Sequence, residues 1–301
     1  MKKIIISCVY LLVLLIMAST VFAGPPLPLH SVEGSGGILL TNSAFLVNPS
    51  EDDKVFGLPS AGATYVNLGN GRHLEAYTMT ETLWGRLELG YSFERLDLGD
   101  LAWDLETATG IDIHEDSVEL HNLNARVLLL KEGDFGQSWL PALTLGVHYK
   151  QNSNIEDIDR RLLGTLESAG IKDEDGVDVT LYATRLITSL ARPLLINVGL
   201  RSTEAAHTGL LGFTDDRKTV FEANFGVLVL DNLVIGGEYR QKPDEYTRIP
   251  GLIEDEDDWW DVFVTYVVND HMTVSAAYAH LGDVLNHEAN STYGFKFKLE
   301  L

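Results

Sequence analysis

The chain has 301 residues, a formal net charge of −22 at pH 7 and a single cysteine, Cys8. Nucleic-acid phosphate repels so acidic a chain, and one cysteine excludes an intrachain disulfide framework. Beyond residue 23 no run of about 18 consecutive apolar residues occurs, so no membrane-spanning helix is expected.

Lys2 and Lys3 precede an apolar run from Ile4 to Met17, broken only by Ser7. Val21, Phe22 and Ala23 before Gly24 fit the small-x-small cleavage pattern, so residues 1–23 read as a removed export signal, the alternative being an uncleaved anchor. Cys8 lies too early in that run for a lipid-anchor site. Loss of the two lysines takes the net charge from −22 to −24. An N-terminal lead-in, residues 24–60, carries little regular pattern. Its apolar part, residues 38–46, needs a partner, inside a barrel or against its periplasmic rim; a poorly ordered lead-in is the alternative.

Strand signals fill residues 61–301. Residues 61–68 and 72–80 flank Gly69, Asn70 and Gly71, a good hairpin turn. Leu83, Gly85, Leu87, Leu89, Tyr91 and Phe93 form one apolar row facing away from Arg86, Glu88, Ser92 and Glu94. An acidic segment without lysine or arginine, residues 97–116, with Arg95 just before it, leads to strands over 118–130 and 140–150. Strands resume at 177–188 and 194–203. Then comes the clearest hairpin: Phe221, Ala223, Phe225, Val227 and Val229 alternate with polar or small residues, Asp231 and Asn232 turn, and Leu233, Ile235, Gly237 and Tyr239 alternate back. Residues 258–268, 272–281 and 291–301 complete the set.

The expected fold is therefore all-β: a single antiparallel transmembrane barrel of about twelve strands, an even number as such barrels require. After the first hairpin the links alternate between short (80–82, 131–138, 189–192, 231–232, 269–271) and long (97–116, 151–176, 204–217, 242–257, 282–290). With both termini periplasmic, every long loop falls outside the cell. Tyr91, Phe93, Tyr149, Phe221, Tyr239, Trp259, Trp260, Tyr278 and Tyr293 are then expected in an outer aromatic girdle, with Trp84, Trp139 and Tyr266 in an inner one. Tyr293, Phe295, Phe297, Leu299 and Leu301 alternate with Lys296, Lys298 and Glu300. This closing strand resembles the segment that barrel-assembly machinery recognises, except that Leu301 stands where phenylalanine is usual.

Over residues 33–301 the chain resembles a proteobacterial family of outer-membrane proteins of unknown function. The resemblance rests on EGSGGILLT (33–41), VNLG (66–69), RLELGY (86–91), DGVD (175–178), ATRLIT (183–188) and GLRST (199–203). It implies an outer-membrane barrel and no particular activity.

The inward row predicts function. By parity it holds Arg86, Arg126, Lys150, Arg201, Arg240, Lys296 and Lys298 against Glu88, Asp178, Glu222, Glu238, Asp261 and Glu300. One reading is a narrow or gated channel whose charged lumen passes a small solute; another is a closed structural or surface-interaction barrel in which these charges pair. A lipid hydrolase is the third. The outer-membrane phospholipase family places a serine two residues after its catalytic histidine, and none of the nine histidines here has one. No enzyme and no cofactor are expected.

Residues 154–169 break the alternation. Ile155, Ile158, Leu162, Leu163 and Leu166 recur at helical spacing, Asn154 is placed to cap and Gly170 to terminate, and the expected role is a lid over the barrel mouth. The alternatives are burial at the outer lipid interface, burial against a partner, or a helix merely packed on neighbouring loops. Glu254, Asp255, Glu256 and Asp257 offer hard oxygens to a divalent cation, though without EF-hand spacing; a solvated acidic loop is the alternative. Expected partners are outer-membrane lipid and lipopolysaccharide, with no nucleic acid.

Overall fold

A computed structural model describes residues 29–51, 53–243, 246–247, 257–284 and 287–301. Twelve antiparallel strands close into one barrel. They are β1 Ser60–Gly69, β2 Arg72–Leu83, β3 Leu87–Asp97, β4 Ser117–Leu130, β5 Ala142–Asn152 and β6 Asp175–Ile187. β7 Leu194–Thr203, β8 Lys218–Leu230, β9 Leu233–Arg240, β10 Trp259–Asn269, β11 Met272–His280 and β12 Thr292–Glu300 follow. Each pairs with its neighbours in sequence, and β12 closes on β1 through Tyr293 opposite Asn67 and Glu300 opposite Ser60. Closure removes every free edge, so the strands pair main-chain groups around the whole ring.

Alternation sorts the side chains as a lipid-facing barrel requires. Leu123, Val147, Leu181, Leu200, Phe225, Val262 and Phe295 are exposed on the outer face. Their sequence neighbours Asn122, Asn124, His148, Thr180, Arg201, Asn224 and Asp261 are buried inside. Trp260 faces out while Trp259 is buried inside, because adjacent strand residues cannot share a face. Trp259 is therefore no part of the outer girdle expected from the sequence.

The link between β2 and β3 also falls later than the expected 80–82. Thr80 and Thr82 keep facing inward, and the chain turns at Trp84 and Gly85, both with positive φ (51° and 59°). Gly85 looked like one small member of an apolar row but is the turn former. Arg86 belongs to this turn: it is exposed at the barrel rim and donates to the Leu128 carbonyl, 3.1 Å. It does not line the lumen.

The long loops all emerge at the opposite end from this turn. α1 Leu101–Thr109 lies between β3 and β4, and the β5–β6 loop holds two short helices, α2 Ile155–Arg161 and α3 Thr165–Ser168. The single helix expected over 154–169 is thus broken. Leu163 and Gly164 take positive φ (58° and 79°), which throws the Leu163 side chain outward to 85 % exposure. Asn154 makes no side-chain cap; instead Asn152 Oδ1 accepts from the amides of Asn154 and Ile155. Ile155, Ile158, Leu162 and Leu166 are buried against Leu98, Leu101, Ile113, Leu210, Leu211 and Phe213 of neighbouring loops. These side chains form an apolar cap over the long-loop end.

Candidate functional site

Residues 30–48 run inside the barrel. The C-terminal end of this segment lies at the short-link end, where Asn48 Nδ2 donates to Ser60 Oγ at 2.7 Å, and Leu29–His30 pairs antiparallel with Gly36–Gly37. The tip, Leu40, reaches the apolar cap, while Ile38 and Leu39 pack on Phe263. Glycines on both sides allow this approach. A Cβ at Gly90 of the wall would lie 2.0 Å from the Gly34 carbonyl oxygen, and one at Gly34 (φ 74°) 2.5 Å from that of Tyr91. Of the two placements open for residues 38–46, the lumen is where they lie.

Three sets of wall side chains hold this plug. In the first, Glu88 and Arg126 stand directly opposite each other on β3 and β4. Arg126 Nε donates to Glu88 Oε1 at 2.8 Å and Nη1 to the Ser43 carbonyl at 2.6 Å. Glu88 accepts the plug amides of Gly36 (2.9 Å) and Val47 (2.7 Å). In the second, Glu238 on β9 accepts the consecutive amides of Leu39 (2.7 Å), Leu40 (3.1 Å) and Thr41 (2.7 Å), plus the Thr41 hydroxyl (2.6 Å). Asp261 lies beside it in register on β10, and Lys296 donates to the Ile38 carbonyl at 3.4 Å.

The third set centres on Glu33. Arg201 of β7 grips it with two nitrogens, Nη1 to Oε1 at 3.1 Å and Nη2 to Oε2 at 2.5 Å. Lys150 of β5 reaches Glu33 Oε1 at 2.5 Å, Asp178 Oδ2 at 2.8 Å and the Thr208 carbonyl at 2.9 Å. Arg201 also donates to Asp178 (2.8 Å) and Glu222 (2.7 Å), and Tyr182 donates to Glu222 at 2.6 Å. Arg240 lies 3.6 Å from Glu222 and 3.9 Å from Glu33. Every member is buried. Such charges are tolerable because each faces an opposite charge, and all but Arg240 are hydrogen-bonded as well.

The wall residues of the expected inward row other than Arg86 therefore come together around the plug. Lys298, paired with Glu300 at 2.8 Å, lies in the same interior. Sequence reasoning missed Glu33 itself, the buried loop 205–214 with Thr208, and the asparagines that hold the plug: Asn122 and Asn124 donate to the Glu33 carbonyl, Asn197 and Asn224 to that of Asn42. Strand parity put the asparagines inside but gave no partner for them. Of the acidic run, Glu254, Asp255 and Glu256 lie outside the described residues. Among the described residues, no group of three or more His, Cys, Asp or Glu side chains is placed to hold a metal.

Residues 28–296 match the family described as "Protein of unknown function (DUF3034)". The chain belongs to this family. No functionally curated protein matches its sequence. Among solved structures, the KdgM porin aligns over 80 % of this chain and 99 % of its own at 9 % identity and a TM-score of 0.50. The COG4313 outer membrane channel from Pseudomonas putida F1 aligns over 84 % and 98 %, at 10 % identity and 0.45. The Salmonella typhi outer membrane phospholipase aligns over 84 % and 94 %, at 10 % identity and 0.38. The KdgM likeness shows a fold shared with outer-membrane barrels. This chain of the DUF3034 family thus has the fold of an outer-membrane-type barrel.

Proposed function

We propose that this barrel is an outer-membrane channel for a small solute, closed by its own residues 30–47 and opened when they withdraw. One observation carries the reading: the plug is bound to a polar, charged wall by ion pairs and amide hydrogen bonds. Water replaces such contacts to charged groups at a net cost of roughly 1.5–3 kcal/mol each, and withdrawal leaves a polar, charged wall for water to hydrate. An interior packed with apolar side chains would have no such open state. The porin fold of KdgM is compatible with this role, and no histidine offers the phospholipase pattern.

The closed structural barrel is favoured by a different observation, the buried apolar cluster that joins the long loops. Planar-bilayer recording separates the two. The intact protein is expected to be quiet or to open rarely, and a variant lacking residues 30–47 to conduct steadily. A folded deletion variant without conductance would establish the closed barrel.

A further inference from the structure

Glu33 sits in a site whose other members all belong to the barrel. We propose that this site receives the carboxylate of a small acidic solute, and that Glu33 stands in for that carboxylate while the barrel is closed. The proposal rests on the reading of the barrel as a plugged channel and names its solute class.

The geometry is that of carboxylate recognition. A planar guanidinium meets both oxygens of a planar carboxylate, and an ammonium supplies a further donor to one of them. The charge balance points the same way. Arg201, Lys150 and Arg240 bring three positive charges, and the wall anions in ion-pair contact with them, Asp178 and Glu222, bring two. The wall alone therefore carries 3 − 2 = +1, and Glu33 brings the sum to zero. Glu94 is within electrostatic range of Glu33, Lys150 and Arg240 but makes no ion pair with these cations and is left out of this sum. Removing the plug without a replacement would leave Arg201 and Lys150 with an unmet positive charge in a confined lumen. One carboxylate restores neutrality; a doubly charged phosphate overshoots it.

The surroundings favour a polar solute. The same withdrawal frees the amide groups of Asn122 and Asn124, now donating to the Glu33 carbonyl at 3.2 and 2.8 Å. The side-chain oxygens of both are buried without a hydrogen-bond partner. These groups offer donors and acceptors that a hydroxylated carboxylate can satisfy.

Chemical rescue tests the site without requiring conductance. Glu33→Ala in the full-length protein deletes the stand-in and leaves its cavity. Sodium acetate is expected to raise the melting midpoint of this variant in a saturable manner, while sodium chloride at equal ionic strength does not. Adding Arg201→Gln should weaken the acetate response by about tenfold or more. If Glu33→Ala does not fold, the barrel lacking residues 30–47 is titrated in the same way. Equal responses to acetate and chloride, or none to either, overturn the carboxylate site whatever the conductance. Rescue by acetate in a barrel that never conducts upholds the site and refutes the channel.

Discussion

At the scale of single residues, Arg126, Arg201 and Arg240 are paired with carboxylates and glycines stand where backbones approach closely. Arg126 and Arg201 are both buried; Arg126 is met by Glu88 and main-chain oxygens and Arg201 by carboxylates and the Tyr182 hydroxyl, so removing either strands a partner at a cost of about 3–5 kcal/mol. His207, in the loop between β7 and β8, adds a pH term. Its ring stacks on Tyr246 at 6.0 Å and lies 6.3 Å from Trp259, with Nε2 at 3.0 Å from the Asp283 carbonyl. Burial, then the nearby Lys242 and more weakly Arg240, push this imidazole well below its ordinary value of 6.5, against the Asp283 carbonyl. The unfolded chain then takes up a proton that the folded one refuses. Stability is complete above pH 6.5 and falls below it, by at most about 1.4 kcal/mol per pH unit. His207→Phe keeps the stacking and removes the titration. Melting curves of the two proteins should diverge as the pH is lowered from about 7.5 to about 5. Parallel curves would show that His207 is not a source of the pH dependence.

At the scale of elements, hairpins build the wall and short helices build the cap. α2 and α3 are too short to persist alone in water, so their apolar side chains depend on the other loops. Ile158 and Leu162 share one buried cluster with Leu98, Leu101 and Ile113 from the loop after β3, and Leu211 and Phe213 from the loop after β7. Ile158→Ala is expected to cost the cap about 2–5 kcal/mol. Hydrogen exchange should quicken across residues 98–116 and 154–171, while the barrel strands keep their protection. Single-channel records should be unchanged, since the plug below the cap still fills the lumen. Exchange that quickens equally in the strands would mean cap and wall open as one unit.

At the scale of the molecule, one chain supplies both a lipid-facing cylinder and its contents. Phe297 on β12 faces outward opposite Ala63 of β1, at the seam that closes the barrel. The wild-type protein should migrate faster on gels when unheated and fractionate with outer membranes. Phe297→Asp should lower the yield of that fast form, because a charge on the lipid face costs roughly 2–4 kcal/mol at the midplane. Undiminished yield would mean this face does not meet lipid.

The wall was legible because its code is local. Alternation with period two assigns each strand residue to one of two faces, and Glu88, Arg126, Asp178, Arg201, Glu222, Glu238, Arg240 and Asp261 all lie inside as parity places them. Parity fails only where the backbone leaves the strand, and Arg86 was misplaced because Gly85 serves equally well as a small row member or a turn former. The helical stripe was legible to the same depth: spacing marked Ile155, Ile158, Leu162 and Leu166, while the break that turns Leu163 outward depends on a left-handed conformation that spacing does not encode. The plug is different in kind. Residues 30–48 have no period, and their order comes from partners far along the chain, such as Arg201 for Glu33, Glu238 for the amides of Leu39 to Thr41, and Arg126 for the Ser43 carbonyl. By itself, then, the sequence determined a twelve-strand wall and the charges on its inner face. Only the tertiary structure decided what those charges hold, because a buried carboxylate finds its cation through space and leaves no spacing rule behind.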